Sequence, residues 1–392
     1  MINRKCVPFE MKRSVLTLPI FGFFFLMASC DSGGPVPVPP PDLDGLLLDV
    51  AGTQGENGKG GDGGLAIACS LFWPVDVTVT PNGELLIVDR GNNRIRKITP
   101  DSLIDAFIGS GIAGDDTLGA GRDVDLNSPT EVREGLDGDY YVACYGNCRV
   151  KSFDAATLEV SVVAGTGIPG FSGNGGPATA ARLGEPSSLV FDPAGNMYIV
   201  DQGNTRIRVV DSQTGVITTF VGGTRGIADG IGEAAQFAFP GCESSSFCGR
   251  VAIDISSNGE DLYLTDTGNH TIRKINIATR MVTTIAGTHE PGWEGDGGPA
   301  LSAKLNYPTD LDIAANGDMY IADLNNNVIR KISSSGIITT VAGNNLIGAS
   351  PSGTRAIEAM FYHPEGIAFD DATNTLYIVD TYNHQIRKVI NP

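Results

Sequence analysis

Apolar residues along most of this chain fall in short runs of five or six, broken by polar and glycine-containing turns, with no helical period of any length. Around residue 90 the runs cover 75–80, 84–89, 94–98 and 103–108. They are rich in Val, Ile, Leu and Tyr, and each predicts a β-strand. Four strands then recur as one unit.

The unit repeats six times, marked most clearly by a turn and the strand after it at 89–96, 144–151, 201–208, 266–273, 323–330 and 380–387. Spacings between the markers are 55, 57, 65, 57 and 57 residues. Each unit carries a proline ahead of a β-rich run, namely Pro74, Pro129, Pro186, Pro240, Pro308 and Pro364. Four strands per repeat of about 40 to 55 residues is the mark of propeller blades. The expected fold is an all-β, six-bladed β-propeller of four-stranded antiparallel blades. These repeats resemble the NHL family over nearly all of 46–392.

The two ends support this reading. The sixth unit stops at Ile390 after three strands, while 46–52 matches the fourth strands that start at Val160, Ile217, Val282 and Ile338. An N-terminal strand therefore completes the C-terminal blade, which closes the ring and removes open sheet edges.

Ahead of the repeats, Arg4, Lys5, Lys12 and Arg13 precede an apolar stretch from Val15 to Met27 that ends at Ala28-Ser29-Cys30. The stretch is shorter than the roughly 18 to 20 apolar residues of a spanning helix and reads as an export signal. Leu26 to Cys30 resembles a lipoprotein signal box, which implies cleavage after Ser29 and lipid on Cys30. The expected organisation is a signal peptide at 1–29, a Pro/Gly-rich tether at 30–45 and a propeller at 46–392. Two acyl chains suffice for stable anchoring, and the proline run 35–41 suits a stiff tether. The formal charge of −18 becomes three units more negative once the signal, with its four basic residues and one acid, is removed. Such a field repels nucleic acid and anionic lipid, so membrane contact is expected only through the anchor.

Candidate chemistry is sparse. The turn acids and the Asn three residues on (Asp89 and Asn92, Asp201 and Asn204, Asp266 and Asn269, Asp323 and Asn326, Asp380 and Asn383) suit side-chain bonding within the turn. Basic residues at one equivalent position of the third strands (Arg96, Lys151, Arg208, Arg273, Arg330, Arg387) are expected to pair with nearby acids. His270 and His384 occupy the repeat position of Asn93 and Asn327, marking them as turn residues rather than a metal pair, and no nucleophile elbow or P-loop is present. In an oxidising compartment Cys144 with Cys148, and Cys242 with Cys248, are expected to form disulfides, with Cys69 free and buried. Three carboxylates, Asp76, Glu131 and Asp310, stand two residues after their prolines and converge on the mouth of the central channel. Oxygen-only ligands there favour calcium as the possible cofactor.

The leading expectation is a monomeric, membrane-tethered binding module of the cell envelope, facing periplasm or exterior, whose loop-rich face meets a protein, glycan or small molecule. The alternatives are a lyase or hydrolase working at the channel mouth, and a structural envelope component. A metal at the mouth would favour the enzyme, and an aromatic-lined loop face would favour binding.

Overall fold

A computed structural model describes residues 43–241 and 249–392. The expected signal at 1–29, Cys30, the tether up to residue 42, and the pair Cys242 and Cys248 lie outside the described residues. The described residues hold strands and single 3-10 turns and no α-helix. None of their helices is long and apolar enough to cross a membrane.

The described strands form six antiparallel blades around a closed ring, in which the innermost strands of neighbouring blades touch. In blade 1 the order from the axis outward is Pro74–Val79, Leu85–Asp89, Arg94–Ile98 and Leu103–Ile108. Blade 6 closes the ring. Leu46–Ala51 pairs with Gln385–Ile390, as Leu47 opposite Val389 and Leu48 opposite Lys388, so the first described strand is held by the last.

Each blade buries both faces, which is why a second strand such as Leu85–Asp89 is apolar almost throughout rather than alternating. The core accordingly lies in slabs between adjacent blades. Leu47, Phe361, Ile367 and Ile378 fill the junction of blades 5 and 6, and Ile87, Ile98, Ile104 and Ile386 that of blades 6 and 1.

The blades differ from the expected pattern in two ways. Four of them gain a fifth, two-residue strand, at Gly64–Leu65, Gly176–Pro177, Gly230–Ile231 and Thr354–Arg355, where the incoming linker covers the outer edge. The second lies in blade 4, whose innermost strand is Ile253–Ile255 and does not begin at Pro240. Register against the second strand, Ile253 opposite Leu264 as Val77 is opposite Ile87, puts Arg250 in the slot that proline fills in the other blades. The insertion thus separates Pro240 from the strand it was expected to start.

Candidate functional site at the loop face

The connections between blades and the turns between second and third strands emerge on one face. Each turn acid there is fully buried and spends its carboxylate on the backbone. Asp89 accepts the Phe72 amide at 2.8 Å, and Asp201, Asp266, Asp323 and Asp380 accept those of Gly184, Ala238, Asn306 and Tyr362 at 2.6 to 2.8 Å. Asn92, Asn204, Asn269, Asn326 and Asn383 each donate from Nδ2 to their acid and to a glycine carbonyl of the preceding loop. Burial pushes Asp201 and Asp323 up to about 6 and Asp380 to about 7, against those same hydrogen bonds. The arrangement is structural: the acids face amides and not solvent.

The basic third-strand residues are fully buried and find acids on the linker as well as in the turn. On the linkers, Arg330 reaches Asp296 at 2.7 Å and Arg96 pairs with Asp62, while Arg387 reaches Asp49 of the closing strand at 2.7 Å. The aspartates of the two Gly-Asp-Gly-Gly loops, at 61–64 and 295–298, are therefore engaged by guanidinium. The tight approach of those loops needs glycine, since a Cβ on Gly61 would sit 2.7 Å from the Cys69 backbone.

A second repeated contact clasps most blades to the next. The residue closing the turn is left-handed, and its side chain accepts the backbone amide that precedes the next innermost strand. Asn93 takes Ser128 at 2.9 Å, Asn327 takes His363 at 3.0 Å, His270 takes Tyr307 at 3.0 Å, and His384 takes Trp73 at 3.2 Å across the closure. The two histidines accept through Nδ1, and burial lowers their pKa, so both are neutral ring locks.

Blade 2 explains why the expected bridge between Cys144 and Cys148 does not form. Both cysteines are free. Cys148 fills the clasp position, where its sulfur accepts the Glu185 amide, whereas Cys144 is wholly buried beneath the turn with its sulfhydryl on the Val142 carbonyl. Asn147 takes over the missing acid's task by accepting the Asn127 amide at 2.9 Å. Cys69 is also free and buried.

The three carboxylates at the innermost strands do converge, and the cation between them belongs to the chain. Arg250, only 2% exposed, lies across the channel with one nitrogen 2.7 Å from Asp76 and another 2.7 Å from Asp310. It also donates to the Thr130 carbonyl at 3.0 Å. Glu131 instead accepts the Leu189 amide at 2.6 Å and pairs with Arg133, which spans to Asp254 at 3.1 Å. A cavity of about 220 Å3 continues from Arg250 towards the far ends of the inner strands at Val79 and Phe369. Burial pushes Asp76, Asp310, Asp312 and Glu365 up to about 7 despite the guanidinium groups, because two arginines serve six acids here. Among the described residues no group of three or more His, Cys, Asp or Glu has the geometry of a metal site.

The mouth itself is aromatic where blades 6 and 1 meet. Tyr362 stacks on Tyr382 at 4.8 Å, Trp73 lies 6.3 Å from Tyr382, and Trp73 stacks on Phe72 at 4.8 Å. His363 packs edge-on against Tyr382 at 5.1 Å. These five side chains are all partly exposed. Trp73, Ser128, Glu185, Tyr307 and His363, at one repeat position around the mouth, all have positive φ between 46° and 64°. A bulky left-handed residue is strained and persists only where its surroundings hold it, here through the clasps.

Sequence reasoning missed both Arg250 and this aromatic patch. One available signal was Tyr382, which stands where four other turns have Gly91, Gly146, Gly203 and Gly268.

Fold and site together define a closed, repeat-built propeller with a plugged channel and an aromatic loop face. Family models match it in parts, as an NHL repeat at 73–98 and 361–389 and as a Teneurin NHL domain at 244–352. The chain belongs to the NHL-repeat β-propellers. It is 28% identical over 258 residues to Protein SUPPRESSOR OF QUENCHING 1, chloroplastic, from Arabidopsis thaliana, covering 63% of this chain and 24% of that protein. It is 26% identical over 287 residues to human NHL repeat-containing protein 2, covering 64% and 37%. The chain thus matches well under half the length of either relative. An auxiliary nutrient binding protein from Bacteroides ovatus shares the fold, with a TM-score of 0.63 at 19% identity over 88% of this chain and 76% of that one.

Proposed function

We propose that this protein is an exported binding module, held at the membrane by lipid on Cys30, that captures a glycan or small molecule on its loop face. The observation carrying the proposal is the partly exposed aromatic cluster of Phe72, Trp73, Tyr362 and Tyr382 beside the channel mouth. Rigid aromatic rings offer a large contact area at little entropic cost, and such clusters mark ligand sites. The axial cavity supports the enzyme alternative less well, because Arg250 already neutralises the acids that would do chemistry there. The Bacteroides ovatus neighbour, named for nutrient binding, is consistent with a soluble ligand.

The chain has two tryptophans, Trp73 and Trp293. In a Trp293→Phe background, Trp73 reports the site directly. Titration with soluble oligosaccharides is expected to change its emission, and Trp73→Ala is expected to abolish binding measured by calorimetry. Binding that is unaffected by Trp73→Ala would remove the loop face from the account. For the tether, Cys30→Ser should move the protein from the membrane to the soluble fraction; a variant that still sediments would contradict lipid anchoring.

A further inference from the structure

Next to Trp73 the loop face holds a cavity of about 260 Å3 between blades 1 and 2, and its chemistry differs from the rest of the molecule. Trp73 and Phe72 form one wall. Arg90, Asn93, Asn127 and Ser128 supply the polar groups, and no carboxylate lines the cavity, although the chain carries a formal charge of −18.

Arg90 is the central feature. Its guanidinium lies 5.3 Å above the Tyr145 ring and has no ion pair among the described residues. Most third-strand and channel arginines, by contrast, are engaged by aspartate. The acid that senses Arg90 is Glu365, which is fully buried at the channel mouth and is pushed up to about 7 by its burial. Asn93 spends its Oδ1 on the Ser128 amide, which orients the Asn93 side chain as part of the blade clasp.

We propose that this cavity takes a carboxylate-bearing sugar ring, a uronic acid unit of an oligosaccharide or polysaccharide. The proposal rests on the loop-face reading above and names its ligand. A pyranose ring presents a face of slightly positive C–H bonds, which suits the negative face of an indole. A ring carboxylate meets the planar fork of Arg90 with two parallel hydrogen bonds, and Asn and Ser side chains suit hydroxyl groups. The cavity is smaller than the roughly 300 to 1,000 Å3 of pockets that enclose a whole ligand, so one ring enters and the rest of the chain crosses the open aromatic mouth. Arg90 matches the one carboxylate of the ring that enters, and the acidic field of this protein disfavours the higher charge density of a polyphosphate.

The test is calorimetry on the full chain with three probes of equal length or size: an oligogalacturonate, a neutral oligogalactoside and a sugar phosphate. The expected result is that the oligogalacturonate binds at least tenfold more tightly than either of the others. Arg90→Met should remove that preference while leaving the circular dichroism spectrum and melting temperature unchanged, and Arg90→Lys should restore only part of it. Neutral and acidic oligomers binding alike, or an Arg90→Met variant that keeps the preference, would overturn the uronate assignment and leave the loop-face reading standing. A preference for the sugar phosphate would overturn it in favour of phosphate recognition. Uronate binding that survives Trp73→Ala would overturn both, and no binding of the oligogalacturonate would overturn the assignment outright.

Discussion

Replacing Arg250 by methionine isolates what holds the channel shut. The guanidinium is 2% exposed, lies 2.7 Å from both Asp76 and Asp310, and donates to the Thr130 carbonyl, linking blade 4 to blades 1, 2 and 5. Methionine keeps most of the volume but leaves two buried carboxylates without their counter-ion, Asp310 retaining only the amides of Leu311 and Ile367. Breaking a buried pair in this way costs about 3 to 5 kcal/mol. For the roughly 350 residues of the propeller, with an unfolding entropy of about 2.1 cal/mol/K per residue, that is a fall in Tm of roughly 5 °C.

The cost must depend on pH. Asp76 and Asp310 are pushed up to about 7 in the folded protein, against the usual carboxyl value of about 4 in the unfolded chain. The folded state therefore binds more protons, and the stability linked to these groups is full below pH 4 and is lost as pH rises through 7. Losing Arg250 removes a charge that lowers both carboxyls, so at pH 8 the Arg250→Met variant must either keep them charged without a counter-ion or protonate them against the pH, and the penalty is largest there. At pH 5 both take up a proton, and what remains is lost hydrogen bonding, about 1 to 2 kcal/mol. Scanning calorimetry at pH 5 and pH 8 should show the larger Tm loss at pH 8, and adding Asp76→Asn with Asp310→Asn should recover most of it. A Tm loss equal at the two pH values, or below about 1 °C at pH 8, would refute the reasoning.

Three further outcomes follow from the fold. Deleting residues 46–51 strips blade 6 of its fourth strand and should lower Tm steeply, because Leu47 is fully buried in the junction with blade 5; an unchanged melt would contradict closure. Alkylation in denaturant without reductant should label Cys69, Cys144 and Cys148, and a peptide linking Cys144 to Cys148 would contradict the clasp role of Cys148. Asp323→Ala leaves the buried Asn306 amide without its acceptor and Arg330 with Asp296 as its remaining acid, and should cost about 1 to 3 kcal/mol in urea denaturation, where a loss under about 0.5 kcal/mol would show the turn to be dispensable.

The fold was legible because its signals are local and repeated. The turn acid and the proline ahead of the innermost strand recur in register in five blades each, the asparagine three residues after the acid position in all six, and the orphan strand at 46–52 has a single unit lacking its match. What escaped the sequence depends on where the repeats break. Pro240 kept the local signature of a strand start, but the insertion after it moved the strand to Ile253 and brought Arg250 into the axis. Cys144 and Cys148 have the spacing of a bridge, yet the left-handed turn points one thiol at the next blade and buries the other beneath its own. The aromatic patch combines residues from both ends of the chain, Phe72 and Trp73 with Tyr362 and Tyr382, and only closure of the ring makes them neighbours.

Hydrogen–deuterium exchange on the full chain, with and without a bound oligosaccharide, tests the central claim most directly. Binding at the loop face predicts slower exchange at 72–75, 90–93, 362–366 and 381–384, with the hairpins on the opposite face at 80–84, 135–139 and 315–318 unchanged. Protection confined to those opposite hairpins, or to the outer strands of the blades, would contradict it.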